Sequence, residues 1–124
     1  MADFQSIYGD LLDLEDSMDK YEWIIDYGGG GMGLSSQYKT EQNLVKGCTS
    51  SLWVVKINEK LVCDADSVIV KGFAGIICDW YNQATEKEKE SFSLATLNSV
   101  GLAPLLSMGR QNGIANLIAR IKTQ

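Results

Sequence analysis

The segment VIVKGFAGIICDWY, Val68 to Tyr81, constrains the fold more than any other stretch of the chain. Placed on a helix, Val68, Ile69, Val70, Phe73, Ala74, Ile76, Ile77, Trp80 and Tyr81 cover most of the circumference, so the helix cannot lie with one face in water. It has to be the buried centre, and the rest of the chain has to cover it. A chain of 124 residues is long enough for one domain with such a core and too short for two of ordinary size. With 45% apolar and 22% charged residues it matches an ordinary globular composition, so the cover is available.

The segments on either side of the central helix supply that cover with different periods. Phe4, Ile7, Tyr8, Leu11 and Leu12 have the spacing of one amphipathic helix, and Met18, Tyr21, Ile24 and Ile25 begin a second, with Asp16 or Ser17 at its cap. YGGGGMG should end it, since successive glycines lose backbone entropy that a helix does not return; a Gly-rich loop is expected over 28–33. These glycines lack a GKS/T ending and follow a helical pattern, so they do not read as a phosphate-cradling loop. From Ser51 the residues alternate: Leu52 to Ile57, a turn at INEK, then Leu61, Val62 and Cys63 predict a β-hairpin, with a third strand over Asn43 to Lys46. Residues 34–41 are too polar and irregular to place. Asp66 of DADS is in position to cap the central helix. Thr85 and Glu88 form a capping-box pattern for a short charged helix ending near Phe92, and a last helix begins around Ser107 with Ile114, Leu117, Ile118 and Ile121 on one stripe. The expected organisation is one domain over 1–124: helices over 1–27, the loop at 28–33, hairpin and central helix over 43–82, and helices over 85–122. That is an α+β fold, a small antiparallel sheet of about three strands covered by helices.

Charge and chemistry narrow the function. Net charge is −5, with eight acids and one lysine in residues 1–27 and no acid after Glu90. An acidic chain with no concentrated basic face is not expected to bind nucleic acid, and a protein partner fits better. No apolar run has the length of a membrane span and the amino terminus lacks a signal-peptide pattern, so the expected location is the cytoplasm, with no membrane partner. The absence of histidine removes Ser-His-Asp and Cys-His nucleophilic sites, His-ligated zinc and imidazole bases. Three cysteines remain, with no CxxC pair, and read as reduced thiols. Cys78 belongs in the apolar helix as a small core residue, and Cys63 ends the second hairpin strand, where packing is the better account. Cys48 differs. Gly47 lets the backbone turn, and Thr49, Ser50 and Ser51 would not bury a thiol in hydrocarbon. A nucleophilic thiolate stabilised by Lys46 or a nearby arginine and an ordinary exposed cysteine both fit this setting. A metal or cluster scaffold built on Cys48, Cys63 and a nearby aspartate is the alternative, and its spacing is poor, because whole elements separate the thiols.

GCTSSLW, DADSVIVKG and GLAPLLSMGRQNGIANLIARIK, in that order, resemble the landmarks of the SufE/CsdE family of sulfur acceptors. The pattern G-C-x-S-x-[VL]-W is met by Gly47, Cys48, Ser50, Leu52 and Trp53. D-S-D-A-x-[IV]-[VI]-[KR]-G is met by Asp64, Asp66, Ile69, Val70, Lys71 and Gly72, and L-x-x-x-R-x-N-G by Leu106, Arg110, Asn112 and Gly113. The likeness runs from about Tyr21 to Lys122. It implies a fold akin to the IscU scaffold and an accessory protein that is not an independent catalyst. Cys48 would receive persulfide sulfur from a pyridoxal-phosphate cysteine desulfurase of the SufS/CsdA kind, stimulate that enzyme, and pass the sulfur to an iron–sulfur scaffold or another acceptor. The pyridoxal phosphate belongs to the partner, and no cofactor or metal is expected here. Gly47, Ser50, Asp66 and Arg110 are the residues implied for loop support and partner binding. The chain departs from the family in having GGGGMGL in place of a Leu-Pro pair, and Lys46 where relatives carry a proline before the Gly-Cys; a looser approach to Cys48 is expected.

Overall fold

The computed structural model describes residues 16–30, 34–47, 51–99 and 101–123. Helix α1 spans Ser17–Gly30, strand β1 Leu52–Ile57, β2 Lys60–Ala65, α2 Val68–Gln83, α3 Glu86–Ser91, α4 Leu94–Ser99 and α5 Met108–Lys122. Short 3-10 turns lie at Ser36–Tyr38, Glu41–Asn43 and Ala103–Leu105. The architecture is α+β, helices on a small antiparallel sheet. The helix expected over Phe4 to Leu12 lies outside the described residues.

Ten of the sixteen residues of α2 are buried, among them Ile69, Phe73, Ile76 and Ile77. Fully burying one such side chain stabilises by roughly 1.5–3 kcal/mol, so this helix organises its neighbours. The hairpin contributes Leu52 and Val54 beneath it, and α5 contributes Ile114, Leu117, Ile118 and Ile121. Phe92 stacks on Trp80 with centroids 4.7 Å apart and meets Tyr81 edge-on at 5.5 Å, which fixes the exposed, box-capped α3 to the core. The hairpin turn is type I′, because Asn58 and Glu59 both take positive φ, 51° and 69°. Its register places Trp53 opposite Asp64 and Val54 opposite Cys63. Asn82 of α2 covers part of the outer edge of β2, accepting from the Leu61 N–H at 2.8 Å and donating to the Leu61 carbonyl at 3.0 Å.

Three local expectations change and one is refined. The third strand is reduced to one bridge, Leu44 opposite Trp53, because residues 41–44 close on themselves in a 3-10 turn, the Leu44 N–H donating to Glu41 O. Helix α1, started by Asp16 accepting from the Met18 N–H at 2.9 Å, runs on to Gly30 instead of stopping before the glycines. Its last turns rest on α2: the Ile24 backbone lies against Gly72, and the Tyr27 hydroxyl donates to Asp79 at 2.6 Å. Tertiary contact here outweighs the low helix propensity of glycine. The cap of α2 is Ser67, whose hydroxyl accepts from the Val70 N–H, and not Asp66. Finally, the helical region expected over 85–122 holds a further short helix, Leu94–Ser99, between the two whose starts were read individually.

Candidate functional site

Cys48 and Ser50 lie outside the described residues, so the site is built from the chain on either side of them. On the approach, the Val45 N–H donates to Leu52 O at 2.7 Å, which joins the chain to β1 at the point where residues 46–51 begin and end. On the exit, the Asp66 N–H donates to Ser51 O at 3.0 Å. Gly47 has φ +84°, a conformation that side chains rarely adopt. Helix α5 lies along the approach. Asn116 Nδ2 donates to the Lys46 carbonyl at 2.8 Å, Arg120 Nη1 donates to the Leu44 carbonyl at 2.7 Å, and Arg120 Nη2 reaches the Gln42 carbonyl. A Cβ added at Gly47 would overlap the Asn116 amide nitrogen. Among the described residues, Lys46 is fastened through its carbonyl to Asn116.

Beside this segment sits Asp64, a charged residue only 5% exposed. Its carboxylate accepts from the Leu34 N–H at 3.1 Å and the Ala65 N–H at 2.8 Å, and pairs with Lys39 Nζ at 3.2 Å and Lys71 Nζ at 3.5 Å. Burial by itself pushes its pKa up; the Ala65 N–H, the Lys39 ammonium, the Leu34 N–H and the Lys71 charge together outweigh burial and hold it below the ordinary value. Lys39 also lies over the Trp53 ring at 5.4 Å. One carboxylate therefore joins the start of the 34–47 segment to β2, α2 and the motif tryptophan.

The other two thiols are in the core. Cys63 is 9% and Cys78 2% exposed, and the two meet: a hydrogen bond with Cys63, followed by burial, pushes the Cys78 thiol well up. Cys63 thus faces Cys78, and among the described residues no three His, Cys, Asp or Glu side chains come together as metal ligands. Arg110 lies in the first turn of α5, half-buried, its N–H bonded to Ser107. Asp66 is exposed and bears on the site through its backbone. Sequence reasoning missed Lys39, Asn116 and Arg120. Lys39 falls in a stretch with no period to read, and Asn116 and Arg120 act across 70 and 76 residues. Their i, i+4 spacing on a predicted helix was the only local signal that they share a face.

Comparison with known proteins gives a consistent result. Residues 5–124 match the family model described as "SufE: Fe-S metabolism associated domain". An uncharacterised SufE-like protein of Rhizobium etli is 27% identical over 133 aligned positions, which take in all of this chain and 90% of that protein. One of Rhizobium meliloti is 26% identical, covering all of this chain and 95% of its relative. SufE-like protein 1, chloroplastic/mitochondrial, of Arabidopsis thaliana is 33% identical over 80% of this chain, and the match spans 28% of that longer protein.

Proposed function

Because this chain belongs to the SufE family of Fe–S metabolism associated domains, we propose that it accepts sulfur on Cys48 from a cysteine desulfurase and passes it on for iron–sulfur cluster assembly. The observation that carries this reading is the contrast among the three thiols. Cys63 and Cys78 are buried in the core, whereas Cys48 occupies the family's Gly-Cys position in a segment fastened on both sides to the sheet.

The transfer needs only thiol chemistry. The Cys48 thiolate attacks the outer sulfur of the desulfurase persulfide; the new S–S bond forms on Cys48 as the old one breaks, and the desulfurase cysteine leaves as a thiolate and takes up a proton. Cys48–S–SH and a free desulfurase cysteine result, with no net oxidation and no cofactor on the acceptor. Pyridoxal phosphate remains the partner's. Removing the persulfide frees the desulfurase for another turnover, which accounts for stimulation. Gly47 and Ser50 serve the segment around the thiol, Asp66 ties its exit, and Arg110 either favours the thiolate or joins the desulfurase-binding surface.

Incubated with desulfurase and L-cysteine, the wild-type protein should gain the mass of one sulfur atom on Cys48, and Cys48→Ser should gain none. A wild-type protein that takes up no sulfur overturns the reading.

A further inference from the structure

We infer that Asn116 is a positioning residue for sulfur transfer: its amide holds the backbone of Lys46 and Gly47, the last described residues before Cys48. This rests on Cys48 being the acceptor.

Three observations converge on it. Asn116 Nδ2 donates to the Lys46 carbonyl, one peptide before Gly47, at 2.8 Å. The same nitrogen fills the space that a side chain at Gly47 would need, and Gly47 holds φ +84° beside it. The carbonyls of Gln42, Leu44 and Lys46, every second residue along the approach, are all taken by two α5 side chains four residues apart, Asn116 and Arg120. Residues spaced i, i+4 project from one helix face. Helix α5 is itself bedded in the core through Ile114, Leu117 and Ile118, so these two side chains form a rail fixed to the protein's interior.

Asn116, Lys46 and Gly47 are all exposed. Water can replace the amide at the Lys46 carbonyl, so the contact adds little to stability. What water cannot supply is direction. A persulfide donor held by a second protein must meet the Cys48 sulfur in one orientation, and misplacement by about an ångström can slow an oriented reaction on the order of 100-fold. A small alkylating reagent has no such demand. Cys63 and Cys78 are buried in the native protein, so they add no background to its reaction.

The test compares wild type, Asn116→Ala, Gly47→Ala and the double variant in single-turnover sulfur transfer from persulfidated desulfurase at saturating donor. In parallel, iodoacetamide alkylation of Cys48 and thermal melting are measured. The expectation is that Asn116→Ala slows transfer about tenfold, between the effect of one lost hydrogen bond and that of an ångström's misplacement. Alkylation should change less than about twofold, and the melting temperature by less than about 2 °C, as for a surface substitution. Gly47→Ala should be slower still, and adding Asn116→Ala to it should bring no further loss, because the amide that the new Cβ would strike is gone. Transfer by Asn116→Ala at the wild-type rate overturns the inference and leaves the acceptor reading intact. Alkylation slowed as much as transfer, or independent effects in the double variant, also overturns it. A wild-type protein that takes up no sulfur removes the acceptor reading and this inference with it.

Discussion

Replacing Asp64 by asparagine keeps the shape of the side chain and removes its charge, which makes it a direct probe of the carboxylate that ties the 34–47 segment to the sheet. The amide has one oxygen where the carboxylate has two, so one donor now faces an NH2 group. If the buried Leu34 N–H loses its acceptor, that loss alone costs about 1–3 kcal/mol. The pairs with Lys39 and Lys71 add less, because those side chains are 35% and 31% exposed; each contributes at most about 1 kcal/mol in partly solvated surroundings. The expected destabilisation near neutral pH is about 3 kcal/mol. With a urea m-value of about 1.5 kcal/mol per molar, the midpoint falls by about 2 M. The pH dependence has a definite sign. The folded-state pKa of Asp64 is depressed below 3.8, so its stabilisation is present above that value and is lost as pH falls through the folded-state pKa. The amide of the variant does not titrate. The gap in midpoint between wild type and Asp64→Asn should therefore narrow as the medium is acidified below the ordinary carboxylate value. A gap equal at about pH 7 and at the lowest pH where both proteins fold refutes the account, as does a loss under about 1 kcal/mol at neutral pH.

Two other outcomes test the core. Gly72→Ala should lower stability by about 2–3 kcal/mol, since its Cβ would strike the Ile24 carbonyl and α1 would have to shift. Gly75→Ala, whose Cβ would meet the Tyr27 ring at an ordinary 3.6 Å, should be neutral or stabilising by up to about 1 kcal/mol through helix propensity; equal melting temperatures for the two variants would contradict this packing. Cys63 and Cys78 should stay unmodified by a disulfide reagent in the native protein and react once it is unfolded, because both are buried and the Cys78 thiol is pushed up. Native-state labelling of either, located by peptide mass, would show that the core thiols are reachable.

Where a pattern is local, it was legible. The apolar circumference of 68–81, the hairpin alternation, the capping box at Thr85 and the stripe of α5 each report contacts made within a turn or two, and each is present in the structure. The caps and ends were less secure. Asp66 and Ser67 are both good caps, and backbone geometry decided between them. Gly28 to Gly30 are helical because Ile24 and Tyr27 have α2 to rest on, which no propensity encodes. On the site side, the motif carrying Gly47 and Cys48 was visible in the sequence. Lys39 over Trp53 and the Asn116–Arg120 rail were not, since each joins residues with no shared period.

Consecutive residues alone require that one helix be buried on nearly every side, leave cysteine as the principal nucleophile of a chain without histidine, and carry the motifs of the SufE family. Which thiols are buried, which carboxylate is held ionised in the core, and which side of α5 grips the approach to Cys48 depend on how distant segments pack. The division has a physical cause. Side-chain periodicity is written into consecutive residues, whereas a hydrogen bond from Asn116 to Lys46 exists only after the hairpin and α2 have brought two distant segments together.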